Sequence, residues 1–415
     1  MDVAVFCVFA LSLCLPSGYS YGALLLLLLG LARWPALLSG RLRWSEPMAL
    51  WATAAVVMGL VWAMHIVDDQ GRLITQSLGL DRCIKYLLVV LSLPALLAQR
   101  PSAAALRWGC IAGAVGAGLT GLWEVVVLQL PRADGYTNAI QFGNLALLLG
   151  IWCGIWALHA PSLLARLAGY LGALAGLGAS LASGSRGGWI TLPVLLLLGF
   201  WLSRRPLHRG ALQHSLRAVG ATVLVCLAVS LLPPVQQRVE LAVQEYQRQT
   251  QNFDNTSIGL RMSFWRLAVE QGKAHPWVGA GQAEYERRQR EAVARREMPS
   301  DAVQLNHAHN ESLDMFAKRG LLGVIGLLGF YLVPALLFWR CLRSLRDDGS
   351  ADASVRRAAA LCGLTTVIGY LGFGMTQVMF AHNNGNLMYL LSISIWLAVC
   401  WYGARPSVPR GVVAS

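Results

Sequence analysis

Charge is scarce in this chain. Asp, Glu, Lys and Arg make up 13% of the 415 residues, while 56% are hydrophobic. A soluble domain of this size has too little interior to hide so much apolar surface, which excludes an ordinary water-soluble enzyme. A disulfide framework is excluded as well. All nine cysteines fall in or beside apolar stretches, and none lies in the single long polar loop, where an oxidising compartment would allow a bridge. They read as small packing residues. Two further patterns are missing: an internal repeat, and an Asp-x-Asp pair of the kind that holds Mg²⁺. Asp68-Asp69 is the nearest approach and reads as a solvated loop.

Long apolar runs are present instead. About 20 mostly apolar residues are needed to cross a bilayer core. Twelve candidate spans follow, near 2–17, 20–38, 47–66, 83–98, 108–128, 141–158, 167–183, 187–203, 216–234, 321–339, 358–379 and 387–404. The first resembles a signal-peptide core but lacks a basic leader and a clear cleavage site, so it is expected to be retained. The chain therefore reads as an all-α polytopic membrane protein with about twelve transmembrane helices and one long, partly helical loop. Its parts are residues 1–234 with nine spans, the loop at 235–320, and 321–415 with three spans and a tail.

The net charge of +13 would suit nucleic acid if it were clustered on a soluble face. With the N-terminus placed inside, arginines such as Arg33, Arg41, Arg204, Arg205, Arg209, Arg340, Arg346, Arg405 and Arg410 fall on cytoplasmic segments, against few acids such as Asp347 and Asp348. Charges nearly cancel in the long loop and on the outer turns, where Arg72 is one of the cations. This is the positive-inside bias, and it argues against nucleic acid. It places both termini inside and the long loop outside, which in a bacterial inner membrane is the periplasm.

The loop carries helical patterns over 235–250, 258–270 and 282–297, a break at Pro276, Gly279 and Gly281, and a last helix over 310–319 closed by Gly320. At the start of that last helix stands Asn306-His307-Ala308-His309-Asn310-Glu311-Ser312-Leu313. His309 sits where free backbone N–H groups make the potential positive. That holds an imidazole neutral, the state a general base needs. Leu313 and Phe316 would back its ring on a common face. A structural histidine in a helix cap has the same signature. His307, two residues away, is expected to point elsewhere, and the pair lacks the spacing of a helical metal site.

Three cations add to it. Arg186, in Ser183-Gly184-Ser185-Arg186-Gly187-Gly188, lies on the outer side, against the positive-inside trend. A guanidinium beside a small-residue turn suits phosphate, although lipid head groups would hold it too. Arg261 lies in the loop, where arginines are common. Lys85, near the outer end of span four, could reach a phosphate, and snorkelling is the plainer role.

The Ser-Arg-Gly-Gly turn, the Arg261-to-Gly281 stretch with His275-Pro276-Trp277-Val278-Gly279-Ala280-Gly281, and His309-Asn310-Glu311-Ser312-Leu313 occur in that order. Together with Asn138-Ala139-Ile140-Gln141-Phe142-Gly143, they resemble the O-antigen ligase and polymerase superfamily from about residue 20 to 400. Within it the ligase that joins O-antigen to lipid A–core is the nearest match. The family's usual Asn-Pro-Ile is Asn138-Ala139-Ile140 here, which lowers the weight of that segment as a site. The resemblance implies a donor glycan on undecaprenyl pyrophosphate, a lipid A–core acceptor, and an essential histidine directly before Asn. It thus selects His309, leaves His307, Asn310 and Lys85 as secondary candidates, and makes Arg186 and Arg261 the pyrophosphate ligands, with no metal or cofactor. The same superfamily holds polymerases and oligosaccharyltransferases acting on protein hydroxyls. A transporter of lipid-linked glycan is the competing class. Transporters, however, often join two related halves by a central cytoplasmic loop and keep polar sites at mid-membrane. Here the long loop is outside, and Glu124 is the main charge within the spans.

Overall fold

The computed structural model describes residues 1–67, 80–202, 211–249, 257–345 and 350–402. Asp68, Asp69, Arg72, Arg204, Arg205, Arg209, Thr250, Arg346, Asp347, Asp348, Arg405 and Arg410 lie outside the described residues. The helices, in chain order, are α1 (Asp2–Ala10), α2 (Gly18–Leu31), α3 (Trp34–Leu38), α4 (Glu46–Ala63), α5 (Leu80–Ala98) and α6 (Ala103–Leu122). They continue with α7 (Ala139–Leu158), α8 (Leu163–Ser183), α9 (Arg186–Leu202), α10 (Ala211–Ser230), α11 (Pro233–Gln249) and α12 (Ser257–Ala274). The last four are α13 (Gly281–Ala294), α14 (Glu311–Ser344), α15 (Ala351–Gly374) and α16 (Asn383–Trp401). No strand occurs among the described residues.

The chain is thus an all-α, multi-pass membrane protein. Each of the twelve expected segments holds a helix, namely α1, α2, α4 to α10 and α14 to α16. By length and composition, seven described helices can cross a bilayer, or eight if α10 and α11, bent by 78°, form one broken span. The first segment differs from expectation. Its helix is only nine residues, about 14 Å at 1.5 Å per residue, too short to cross the core alone. It is instead packed inside the bundle, where Phe9 stacks on Trp396 at 5.0 Å and meets Trp152 edge-on at 5.5 Å. The close helix contacts rest on small residues, as at Gly150 and Gly176, which bring α7 against α8. Glu124 is a turn anchor rather than a transport site: its Oε2 accepts the N–H groups of Asp134 (2.9 Å) and Gly135 (3.0 Å).

Helices α7, α15 and α16 are the most enclosed spans. Below the turn joining α15 to α16 lies a cluster of Phe330, Tyr331, Tyr370, Phe380 and Tyr389, with ring centroids 4.8 to 5.9 Å apart. The loop elements form a smaller core of their own, in which Phe264, Leu267, Ala268, Tyr285, Ala292, Ala308 and Ala317 pack together.

The loop helix expected over 310–319 forms, and Gly320 does close it, with φ 63° inside α14. Left-handed backbone favours glycine. At this position a Cβ would also collide with the backbone of Trp277. Gly279, at φ 69°, faces the Lys318–Arg319 backbone in the same crowded crossing. Gly320→Ala is therefore expected to lower stability by about 1–3 kcal/mol from backbone strain, more with the collision. Fluorescence-detected size exclusion after a heat step would show it as a lower apparent Tm.

Candidate functional site

Four helices begin at one end of the bundle, close together: α7 at Asn138, α9 at Arg186, α14 at Asn310 and α16 at His382. They are gathered by the segment 375–383. The Met375 carbonyl accepts from Asn310 Nδ2 at 3.2 Å, and Gly187 is pressed against the Thr376 side chain. The Gln377 side chain lies beside His309. Glu311 Oε2 accepts the Phe380 N–H at 3.1 Å, and the Ala381 carbonyl accepts from Arg82 Nη2 at 2.7 Å. Asn138 Nδ2 lies 3.5 Å from His382 Nδ1, and Lys85 Nζ donates to Asn383 Oδ1 at 2.5 Å.

His309 is held from two sides. Asn310 is the N-cap of α14, its Oδ1 accepting the Leu313 N–H at 3.0 Å. Asp314 Oδ1 accepts the Ala308 N–H at 2.9 Å and the Lys318 ammonium at 2.5 Å, and Lys318 also donates to the Asn306 carbonyl at 2.9 Å. Asp314 and Lys318 are 1% and 2% exposed, so this ion pair is one whose loss of either partner would strand a buried charge. Between these anchors His309 adopts φ 51°, a left-handed backbone sparsely occupied by non-glycine residues.

His309 precedes α14, which starts at Glu311, so the helix face it was expected to share with Leu313 and Phe316 does not extend to it. The ring packs beside Phe264 of α12, 5.9 Å between centroids, while Phe316 covers Gly272. The expectation for His307 is corrected in the same way. It is not helical, so its ring can turn back, and it meets His309 edge-on at 4.4 Å. Among the described residues no group of three or more His, Cys, Asp or Glu has the arrangement to hold a metal ion.

Burial, and then the Arg261 charge, push the His309 pKa down from an ordinary 6.5 to about 4. Burial also carries His307 well below its usual range, with His309 as the next cause. His382 falls to about 4 through burial and then Arg82. All three rings are neutral at pH 7, and His309 Nδ1 has no hydrogen-bond partner among the described residues. A neutral imidazole with an open nitrogen can accept a proton.

Arg261 is thus within electrostatic reach of His309, on the same helix as Phe264. Arg186 opens α9 after a braced turn. Gly184 takes φ 62°, and Ser185 Oγ donates to Asn144 Oδ1 at 3.1 Å. Gly187 then brings the helix start against the segment that Gln377 shares with His309. Lys85 does not snorkel: it is buried, paired with Asp81 and bound to Asn383. Asn138, in the segment that departs from the family's Asn-Pro-Ile, reaches the site after all. Sequence reasoning missed Arg82, Gln377 and His382. Arg82 and Lys85 lie one helical turn apart at one end of α5. The polar run His382-Asn383-Asn384-Gly385-Asn386 opens an otherwise apolar span. Those were the available signals.

The family model described as O-antigen ligase matches residues 171–328. Over these residues the chain is similar to the O-antigen ligase family. The matched region holds Arg186, Arg261, His307, His309 and Asn310; Lys85, Asn138 and His382 lie outside it. A protein from Haemophilus influenzae, described as uncharacterized, is 25% identical over 386 residues, covering 91% of this chain and 92% of that protein. The superfamily carries O-antigen ligase and polymerase functions, glycosyltransferase-like reactions on lipid-linked polysaccharide.

The neutral imidazoles have a measurable consequence. Their folded pKa values lie below the unfolded value of 6.5, so between about 6.5 and 4 the unfolded chain binds the extra protons. Stability is full above 6.5 and falls as pH drops through that window. The apparent Tm in detergent should decrease from pH 7 to pH 5, and His382→Gln should reduce the slope.

Proposed function

We propose that this protein is an O-antigen ligase of the bacterial inner membrane, with both termini cytoplasmic and its site on the periplasmic face. It would transfer O-antigen polysaccharide from undecaprenyl pyrophosphate to a sugar hydroxyl of lipid A–core. The observation that carries the reading is the reach of Arg261 to a neutral, buried His309, beside the helix start that bears Arg186. Orientation rests on the distribution of basic residues.

The chemistry follows from these groups. His309 accepts the proton of the attacking hydroxyl as its oxygen bonds to the anomeric carbon of the donor sugar. The bond from that carbon to the phosphate oxygen breaks, and undecaprenyl pyrophosphate leaves with the electron pair. Arg186 and Arg261 bind the charge that grows on the leaving oxygen, the role a divalent cation has in many glycosyltransferases. Four helix N-termini around the site add positive potential of the same sign. A single displacement inverts the anomeric centre. Among the described residues of the site, Glu311 accepts the Phe380 N–H and Asp314 pairs with Lys318, which disfavours either as the nucleophile of a retaining route.

With purified lipid-linked donor and lipid A–core, His309→Ala should abolish ligation while the variant inserts and folds. Retained turnover would remove His309 from the mechanism. Arg186→Ala and Arg261→Ala should each slow transfer by about 10²–10³-fold, the usual effect of one lost transition-state donor. Ligation should persist in EDTA. Offering a second lipid-linked repeat unit, or a pilin-like protein, in place of lipid A–core tests the acceptor: preferred transfer to either would reassign the enzyme as a polymerase or an oligosaccharyltransferase.

A further inference from the structure

The turn between α15 and α16 holds a histidine whose protonation pattern is fixed by its neighbour. Asn138 caps α7 through its oxygen: Oδ1 accepts the N–H groups of Ile140 at 3.1 Å and Gln141 at 3.0 Å. The end of the amide turned to His382 is therefore its NH₂, with Nδ2 3.5 Å from His382 Nδ1. An amide NH₂ only donates, so Nδ1 is the accepting nitrogen. A neutral imidazole has one N–H, and here it must be on Nε2.

That Nε2 is buried and has no hydrogen-bond partner among the described residues. Leaving a buried donor unsatisfied costs about 1–3 kcal/mol. A plain structural duty does not account for it. His382 stands at the N-cap of α16, yet its side chain makes no cap hydrogen bond. The ring meets His307 edge-on at 5.6 Å, and His307 in turn meets His309 at 4.4 Å. On the far side, Arg82 holds the preceding carbonyl of Ala381. The open N–H is thus one ring away from the proposed base, in a setting of arginines. A neutral donor there takes an acceptor and adds no further charge to a crowded cationic site.

We propose that His382 is a substrate-binding donor of fixed tautomer, its Nε2–H taking a phosphate oxygen of a polyprenyl pyrophosphate. This rests on the ligase reading for the identity of the ligand. Among the groups such a substrate brings, pyrophosphate oxygens are the strongest acceptors, and the same hydrogen bond strengthens as the leaving oxygen gains charge.

The test uses the full chain in nanodiscs, labelled with ¹⁵N-histidine. The His382 signals, assigned by their loss in His382→Gln, should show a protonated Nε2 and a bare Nδ1. The Nε2 signal should move on adding undecaprenyl pyrophosphate and stay put with undecaprenol. Asn138→Asp keeps a helix cap but offers Nδ1 only an acceptor, so it should move the proton to Nδ1. In ligation assays His382→Ala should lower kcat by about 10²–10³-fold, and His382→Gln, which restores an N–H near Nε2, should recover part of the loss. Asn138→Asp added to His382→Ala should cost nothing further. A proton on Nδ1 in the wild type, or an Nε2 signal indifferent to undecaprenyl pyrophosphate, would overturn the proposal. If the signal responds while the wild type ligates nothing, the donor role stands and the ligase reading falls.

Discussion

Phe380 is the residue on which the rest of the site depends. Its ring is fully buried and packs on Tyr370, Tyr389 and Phe330, at centroid distances of 5.6, 5.2 and 5.5 Å. Its N–H is held by Glu311, a carboxylate 2% exposed in the first turn of α14. Aromatic pairs of this kind add roughly 0.5–1.5 kcal/mol each beyond area burial. This one residue therefore pins the turn between α15 and α16 both to the aromatic cluster beneath and to the helix that follows His309. From that fixed point the neighbours reach out in order, Met375 to Asn310, Ala381 to Arg82, His382 to Asn138 and Asn383 to Lys85. Each bond is modest alone. Because they share a short segment, the helix starts cannot move independently.

The electrostatic design follows from that geometry. Cations gather at this end: Arg82 and Lys85 from α5, Lys318 and Arg319 from α14, Arg261 from α12. Several are committed to structure. Lys318 is tied to Asp314, and Arg319 donates to the Val61 carbonyl at 3.0 Å and lies 4.0 Å over Trp62, on which Arg82 also sits at 4.5 Å. Burial, and then the field of neighbouring cations, keeps His307, His309 and His382 uncharged. A neutral ring among fixed cations is one arrangement that can bind a pyrophosphate and accept a proton in the same space.

Much of this was legible in the chain itself. The apolar runs announced the helices because spanning segments must satisfy their backbone internally. Gly320 ended its helix as expected, because only a residue without Cβ fits φ 63° against the Trp277 backbone. His309 and Arg261 stood out through local pattern and resemblance, and the Arg261 charge reaches the neutral His309 ring. The failures share a cause. The packing of α1, the burial of Lys85 and the place of His382 depend on partners far away in sequence: Trp396 for α1, Asn383 for Lys85, Asn138 for His382.

By itself, then, the sequence determined the class of protein, its approximate helices and the residue types able to hold phosphate and accept a proton, because hydropathy, periodicity and turn chemistry act over a few residues. Tertiary structure alone decided which of those residues meet, which ring nitrogens are open and which lysine is spent on structure. Those outcomes rest on burial and hydrogen bonds between segments a hundred or more residues apart, as between Asn138 and His382, and no local pattern encodes a distance across the bundle.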